Sequence, residues 1–477
     1  MSEDGTGNSS HTPSIHILDD DVLLNMFFLY RPAIFDGDED DFVRVSGGRG
    51  WDRERWWYKL AQVCQRWRTL ILGSPSYLDL CLVCTYGTPI ADMLAHSPPL
   101  PLVIDFFDQD WVITADDEEE IILALEKRDR VRRVRLGMPV PSLQKLIMTI
   151  DEEYPVLEYL IVLPRPEDTS TAWMLPEALQ APHLCHLVLK GFVLPVGSQL
   201  FTTAVGLVTL SLYIDHPFAY FQPSTLLQWV SFMPQLEKLL VFLPYRDVER
   251  QPMHTEATTH VTLPNLRWMV LEGVSAYVEE VLHRITTPRL ETLDVHFFKQ
   301  LTYSVPRLLH FVNKTKTLRF DCAKFEFSRD DVSVMLDLRW EPQAEYALSL
   351  YVYTRHLDWQ VSSVTQIFNS LSQISSTVEH LSLEYEVHSR SSMAHNTVNR
   401  TVWRNFLRPF VNVKTFHVQD GLVNQLSRSL RPEDGELPQE LLPELQVLTY
   451  SGHRDAFTPF IDARQNAGFP VTLTLRR

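Results

Sequence analysis

The sequence predicts an α/β protein in which a short helical head precedes an irregular solenoid, a curved parallel sheet with helices on its outer face. Two observations predict this fold. An apolar triplet with the spacing L-x-x-L-x-L, as in Leu184/Leu187/Leu189, recurs along most of the chain. Segments with helical periodicity lie between the triplets, so that strand and helix alternate at the interval expected of one repeat.

The head is predicted to extend from 15 to 75, after a polar tail at 1–14 that we expect to be disordered. Apolar residues recur at helical spacing from Leu18 to Tyr30, and an aspartate can cap the start of this helix. Pro32 limits its continuation, because proline cannot extend a helix at its own position. The sequence therefore predicts a first amphipathic helix that ends before residue 32.

A second amphipathic helix is predicted from Trp56 to Ile71, after an acidic loop at 31–54 that has no periodicity. The segment Gly73-Ser-Pro75 stops it. Tyr77, Leu80 and Leu82 can supply the first strand, so the head is expected to join the solenoid without a linker.

The solenoid is predicted to occupy 76–477. Further triplets are Leu207/Leu210/Leu212, Leu266/Met269/Leu271, Leu290/Leu293/Val295 and Leu445/Leu448/Tyr450, and looser copies begin at Val131, Leu157, Leu236, Thr315, Glu345, Val378 and Val413. Helices are predicted between them at 224–233, 275–285, 361–374 and 402–410. Val471, Leu473 and Leu475 can form the closing strand.

A proline recurs two residues ahead of the first leucine of the triplet. It stands at Pro155, Pro182, Pro234, Pro264, Pro288 and Pro443. Proline makes up only 30 of 477 residues, so this recurrence at one offset is far above chance. Because proline ends a helix and commits the next residues to extended geometry, the offset predicts the same corner in each of these repeats.

The two head helices resemble those of the F-box family. The first reads L-D-D-D-V-L-L-N-M-F from Leu18, and the second carries V-C-x-x-W-R from Val63. The stretch from Gly73 to Pro89 is similar to fungal F-box-like proteins with leucine-rich repeats. The resemblance implies that the head docks on a Skp-type adaptor, and through it a cullin–RING ubiquitin ligase, while the repeats hold an unknown protein substrate. It places the adaptor interface on Leu18, Val22, Leu23, Phe27, Leu60, Val63, Trp67 and Leu70.

The positions that flank the apolar strand residues are expected to point to the concave face of the solenoid. They are Arg133, Arg135, Lys190, Tyr213, Lys238, Trp268, Glu272, Asp294, His296, Arg319, Asp321, Tyr351, His380, Glu384 and His417. Their charges are mixed and aromatic residues are interspersed, which suits a protein partner better than a phosphate backbone.

Composition and the absence of known motifs argue against several classes of function. The net charge of −17 argues against nucleic acid and against an anionic membrane as the main partner. Five cysteines in 477 residues are not a disulfide framework, and no signal peptide or membrane-spanning run is recognisable, so we expect a cytoplasmic or nuclear protein. No motif for phosphate, dinucleotide or metal binding or for nucleophilic catalysis occurs, so neither enzymatic activity nor a cofactor is expected.

Three local patterns have competing interpretations. Cys81 and Cys84 have C-x-x-C spacing, but lie in a predicted strand and lack partner ligands, which favours packing. Acidic residues from Asp105 to Glu120 could gather calcium, yet an acidic helix start is favoured. The basic run from Lys127 to Arg135 could hold an acidic segment, although a solvated helix end and strand is favoured. For the whole chain, a repeat scaffold whose head is only a cap remains the main rival to the ligase subunit.

Overall fold

The computed structural model describes residues 18–32, 55–107, 112–165, 173–214, 216, 219–244, 259–338, 346–385, 398–432, 436–451 and 455–475. The chain divides into two compact units, Met1–Ile150 and Asp151–Arg477. The predicted tail at 1–14 and most of the predicted loop at 31–54 lie outside the described residues. The predicted division between head and repeats after residue 75 stays a prediction.

The first unit combines helices with a short parallel sheet. Its strands are β1 (Leu82–Cys84), β2 (Leu102–Phe106) and β3 (Val131–Met138), and its helices are α1 (Asp20–Tyr30), α2 (Trp56–Ala61), α3 (Gln65–Gly73), α4 (Pro75–Leu78), α5 (Ile90–His96), α6 (Ala115–Leu125) and α7 (Val140–Ile147). The strands pair in parallel in the order β1–β2–β3, and the register shifts by one residue after Leu102. A crossover helix between parallel strands is the connection such pairs require.

The second predicted head helix is wrong as a single element, because the chain breaks between α2 and α3. Cys64 has an extended backbone, and its sulfur accepts the Trp67 N–H at 3.5 Å as the N-terminal cap of α3. The Arg68 guanidinium donates to the carbonyl of Ala61 at the end of α2. Tyr77 is also not in a strand, since it lies on the short helix α4.

The second unit is built around a long sheet. Its strands are β4 (Tyr159–Pro164), β5 (Trp173–Met174), β6 (His186–Lys190), β7 (Phe192–Val193), β8 (Thr209–Tyr213), β9 (Lys238–Phe242), β10 (Val261–Thr262), β11 (Trp268–Gly273), β12 (Ile285–Thr286), β13 (Thr292–Phe297), β14 (Cys322–Phe327), β15 (Asp331–Asp337), β16 (Leu348–Tyr353), β17 (His380–Tyr385), β18 (Thr415–Val418), β19 (Val447–Tyr450) and β20 (Thr472–Leu475). Its helices are α8 (Gln199–Thr203), α9 (Pro223–Val230), α10 (Ser275–Arg284), α11 (Pro306–Lys314), α12 (Leu357–Ser370), α13 (Ser372–Ser375), α14 (Arg400–Leu407), α15 (Asp420–Leu430) and α16 (Thr458–Asn466). Helices therefore occur in all four segments where the sequence predicts them, with bounds shifted by a few residues.

The proline corners are the same hydrogen-bonded turn each time. The N–H of the triplet's first leucine donates to the carbonyl three residues earlier, as in Leu184 to Ala181 at 3.1 Å and Leu236 to Met233 at 3.2 Å. Proline stands second in this four-residue turn, where its fixed φ is already suitable. The strand begins two residues after the leucine, so the repeated corner predicted from the sequence is confirmed.

The long sheet is parallel except at one strand. Its order in this unit is β4–β6–β8–β9–β11–β13–β16–β15–β14–β17–β18–β19–β20. β15 runs antiparallel to both β14 and β16, so the predicted parallel sheet is wrong at this strand. The chain passes from β13 over two strand positions to β14, and then returns through β15 to β16 beside β13.

The register predicted around Thr315 is wrong as well. The expected turn forms there, because the Leu318 N–H donates to the carbonyl of Thr315 at 3.1 Å. The strand, however, starts only at Cys322, so Arg319 and Asp321 precede it instead of lying on it. The backbone of Asp321 pairs with Asp337 of β15 and with Glu379 and His380 at the start of β17. The residues between this turn and Cys322 therefore lead the chain into the antiparallel hairpin formed by β14 and β15.

Helices cover one face of the long sheet in the second unit. The Phe325 ring of β14 lies 5.1 Å from Phe368 of α12 and 4.9 Å from Phe406 of α14. The triplet residues of the strands, such as Leu210 and Leu293, are fully buried on this side. Because side chains alternate along a strand, the intervening residues lie on the opposite face, called the polar face below.

Candidate protein-binding surfaces

Helix α1 is held to the rest of the first unit through one of its faces. Leu23 and Phe27 are buried, and the ring of Phe27 meets that of Trp67 edge to face at 4.8 Å. The Arg66 guanidinium donates to the Asp20 carboxylate and to the carbonyl of Leu18, both at 2.6 Å. These contacts fix the orientation of α1 on α3.

The face of α1 next to this buried face is apolar and exposed. Val22 and Met26 are each 44% exposed and Leu29 is 80% exposed, and they follow one another at i, i+4 and i+7. We call Val22, Met26 and Leu29 the apolar stripe. An exposed, contiguous apolar row on a helix otherwise anchored by its buried face is typical of a protein-interaction surface.

Helix α2 covers the outer edge of β1. The Leu82 N–H donates to Pro101 at the junction with β2, so the carbonyls of Cys81 and Val83 point to the other side. The indole N–H of Trp57 donates to the Cys81 carbonyl at 3.2 Å, and the Arg55 guanidinium donates to the Val83 carbonyl at 3.1 Å. Side chains of the head thus satisfy backbone acceptors of an edge strand.

The residues predicted to contact an adaptor divide by exposure. Leu23 and Phe27 are buried, whereas Val22 and Val63 are exposed. The remaining predicted positions are half-buried: Leu18, Leu60, Trp67 and Leu70. Met26 and Leu29 were not predicted as contact residues, although their helical spacing from Val22 is visible in the sequence. Contact of any of these residues with an adaptor stays a prediction.

Most residues predicted for the concave surface lie on the polar face of the second unit. They are Lys190, Tyr213, Lys238, Trp268, Glu272, Asp294, His296, Tyr351, His380, Glu384 and His417. Arg319 and Asp321 are outside the strand, as described above. In the first unit, Arg133 of β3 is only 8% exposed and Arg135 pairs with Asp105 at 3.0 Å. A binding role for each of these residues stays a prediction.

Aromatic rings form a row across the polar face. Tyr213 and Phe242 stack with ring centroids 4.7 Å apart, and Phe242 meets His296 edge to face at 6.0 Å. His296 stacks on Tyr351 at 4.3 Å, and its Nδ1 lies 2.9 Å from the Tyr353 hydroxyl. We call Tyr213, Phe242, His296, Tyr351 and Tyr353 the aromatic platform. Glu272 stands in register between Phe242 and His296.

Two members of the platform were missed in the sequence. Phe242 follows Lys238 by four residues on β9, and Tyr353 follows Tyr351 by two on β16, so both keep the alternation of the polar face. The prediction included the residue directly after the triplet on other strands, such as Tyr213 on β8 and His296 on β13, but omitted Phe242 at the same position on β9. Tyr353 is identified by extending the alternation one step beyond Tyr351.

Burial and negative charge set the protonation state of the platform. Burial lowers the pKa of His296 to about 4, so the imidazole is neutral at pH 7. Burial and, secondarily, the Asp294 carboxylate raise the pKa of Tyr351 to about 12. The pKa of Tyr353 is also raised, by burial first and then by Glu272 and Asp331. The rings are therefore uncharged while carboxylates surround them.

Each of the three ambiguous patterns contains residues that are buried, or hydrogen-bonded or ion-paired within the protein. Cys81 and Cys84 are both buried, and burial raises the pKa of Cys84 to about 12. The acidic start of α6 is a capping box, because Thr114 and Asp117 exchange hydrogen bonds. Asp108 and Asp110 lie outside the described residues.

In the basic run, Arg130 donates to the Leu100 carbonyl at 3.0 Å and Arg132 pairs with Asp79. Within the part of the chain that the structure describes, no group of three histidine, cysteine, aspartate or glutamate residues could hold a metal ion. Among these same residues, no helix is both long and apolar enough to cross a bilayer.

The fold and these surfaces define an α/β protein with a long, mainly parallel sheet, helices on one face and a polar face on the other. No family model matches the chain. No curated protein matches it. Among solved structures, an internalin from Listeria monocytogenes is 10% identical, with 76% of this chain and 90% of that chain covered at a TM-score of 0.23. At so low a TM-score, the similarity supports no conclusion about function.

Proposed function

We propose that this chain is a non-enzymatic, intracellular recruiting subunit of a cullin–RING ubiquitin ligase. In this proposal the head docks on a Skp-type adaptor, and the polar face of the second unit binds a protein substrate. The subunit performs no covalent step, and acts by raising the concentration of substrate near the ligase. The resemblance of the two head helices to the F-box family supplies the identity of the adaptor.

The apolar stripe is the observation that carries this proposal. A helix that only caps a repeat array needs a polar outer face, because that face stays in water. Helix α1 instead exposes Val22, Met26 and Leu29 while its neighbouring face is anchored on α3. Burying such a row against a partner removes apolar surface from water at about 25 cal/mol per Å².

One observation favours the rival function, a repeat scaffold whose head is a cap. Trp57 and Arg55 satisfy the edge carbonyls of β1, which is what a cap does. Capping involves α2, however, whereas the apolar stripe lies on α1. The two roles are therefore separable by substitution.

The test is a pull-down of the full chain on an immobilised Skp-type adaptor. Met26→Glu combined with Leu29→Glu places two charges in the stripe, and we expect it to weaken binding by roughly 10- to 100-fold, as loss of central interface contacts does. Substitutions at Leu23 or Trp67 are unsuitable, because Leu23 is fully buried and Trp67 packs on the buried Phe27, so their loss would destabilise the head.

Leu301→Glu is the matched control, since Leu301 is also 80% exposed but belongs to the second unit. It should bind the adaptor like the unmodified chain. Circular dichroism of all three proteins checks that they are folded. No binding by the folded, unmodified chain would replace the ligase proposal with the scaffold.

A further inference from the structure

Two aliphatic residues lie beside the aromatic platform. Two residues back along β9 and β11, on the same polar face, are Leu240 and Val270. They are in register with each other and lie next to Asp294 of β13. Leu240 and Val270 are only 5% and 4% exposed, so they support the platform from beside it, whereas the platform rings are half-buried. The exposed parts of the rings can pack the methylene stem of a long side chain.

The charge around the platform is predominantly negative. On β6, β8, β9, β11, β13, β15 and β16, the carboxylates of the polar face are Glu272, Asp294, Asp331 and Asp337, whereas its cations are Lys238 and Lys190, the latter in register with Tyr213. Further along the sheet, Lys324 of β14 is neutralised by Glu326 and by Glu384, the latter at 3.2 Å. The local field therefore favours a cationic ligand and opposes a phosphorylated or acidic one.

The same face already holds one cation in the geometry that such a ligand would need. The Lys238 ammonium lies 5.1 Å from the centroid of the Trp268 ring. The indole N–H of Trp268 in turn donates to the Asp294 carboxylate at 3.3 Å. Ring face and carboxylate together stabilise a positive charge here, and the platform offers the same two components in Tyr351 with Asp294 and in Tyr353 with Glu272.

We propose that the aromatic platform binds a basic segment of a partner protein, with arginine or lysine side chains stacked on its rings and their charges directed to Glu272 and Asp294. This inference rests on the proposed function, because it names the class of substrate segment that the polar face recruits. Arginine fits best, since a planar guanidinium stacks on aromatic faces and binds carboxylates in two-pronged fashion. Burial is the main cause of the raised pKa of Tyr351, and its second cause, the Asp294 carboxylate, agrees with this field.

The experiment uses the full chain, immobilised, and a random dodecapeptide library displayed on phage. We expect the enriched peptides to be richer in arginine and lysine than the input. A selected peptide, labelled with fluorescein, should then bind the double variant Glu272→Gln, Asp294→Asn at least tenfold more weakly. Tyr351→Leu keeps the apolar volume but removes the ring, and should also weaken binding.

Glu291→Gln is the matched control, because it removes one carboxylate next to β13 at an exposed position outside the platform. Its affinity should equal that of the unmodified chain. Enrichment of acidic peptides, absence of charge bias, absence of enrichment, or equal binding by the double variant would each overturn the inference.

The adaptor proposal is tested separately by the Met26→Glu, Leu29→Glu chain, which should select the same peptides. Loss of adaptor binding with normal peptide selection supports both proposals. A chain that never binds the adaptor but selects basic peptides contradicts the ligase role alone.

Discussion

His296 lies at the centre of the aromatic platform, between Phe242 and Tyr351, with the Tyr353 hydroxyl at 2.9 Å from its Nδ1. Burial there lowers the pKa of this imidazole from its ordinary 6.5 to about 4. A histidine whose pKa is depressed in the folded state binds fewer protons folded than unfolded between these two values. The folded state therefore loses stability as the pH falls through this interval.

The first prediction follows for His296→Gln, which removes the titrating ring. Between pH 6.5 and 4, the free energy of unfolding of the unmodified chain should fall more steeply than that of the variant. The difference between the two slopes should accumulate to the order of 1–3 kcal/mol. Urea unfolding at several pH values measures it. His310→Gln, at an exposed position of α11, controls for the loss of one imidazole, and an equal slope in both variants would contradict the prediction.

Individual residues of the candidate surface show where prediction from the sequence succeeds and where it fails. Tyr213, His296 and Tyr351 are identifiable because they alternate with leucine or valine in a strand, and alternation decides the face. Arg319 and Asp321 are misplaced because alternation cannot locate the start of a strand. Arg133 shows a further limit, since the position of a charged residue does not reveal that it is buried.

At the scale of elements, one glutamine connects the turn of the antiparallel hairpin to the neighbouring strand. Gln360 of α12 is fully buried, and its Nε2 lies 2.8 Å from the Thr354 carbonyl and 2.9 Å from those of Ser328 and Asp331. Ser328 and Asp331 bracket the turn between β14 and β15. One side chain thus joins that turn to the end of β16.

Replacing Gln360 with methionine should loosen this turn. The substitution keeps the length of the side chain but removes the donor. It leaves the buried Thr354 carbonyl without this partner, at a cost of about 1–3 kcal/mol. Amide hydrogen exchange should accelerate in Asp331–Asp337 more than in the other strands. Gln373→Met, at an exposed position of α13, serves as control and should change stability by less than about 0.5 kcal/mol. Unchanged exchange in β15 would exclude the anchoring role of Gln360.

The sequence predicts the proline corners, but it does not predict the direction of each strand. A proline such as Pro264 has one suitable place in a turn, so its offset from Leu266 predicts the corner directly. The alternation of β15 is the same as that of its parallel neighbours, because a period of two does not depend on strand direction. The hairpin could therefore be located as a strand but not oriented.

At the scale of the whole molecule, the net charge is −17, and the two candidate surfaces differ in how much charge they carry. The apolar stripe of the first unit carries no charge, whereas carboxylates predominate around the aromatic platform of the second. Binding at the stripe should depend weakly on salt, and binding at the platform strongly. The two proposed partners are thus distinguished by chemistry.

The strand order β13–β16–β15–β14–β17 also restricts the order in which these strands can pair during folding. β13 cannot gain its next neighbour until Tyr353 has been reached, because β16 fills the place beside it. We expect β14, β15 and β16 to become protected from hydrogen exchange in one kinetic phase during refolding. Pulsed exchange labelling measures this, and protection of β14 well before β16 would contradict it.

The same constraint applies while the chain is being synthesised. A nascent chain that ends before Leu348 leaves the edge of β13 unpaired, and unpaired edges are open to strands of other molecules. β17 pairs with β14, so the later strands β17–β20 can join the sheet only after that gap is filled. We therefore expect the edge of β13 to be open to pairing with other molecules throughout the interval between the synthesis of Phe297 and that of Tyr353.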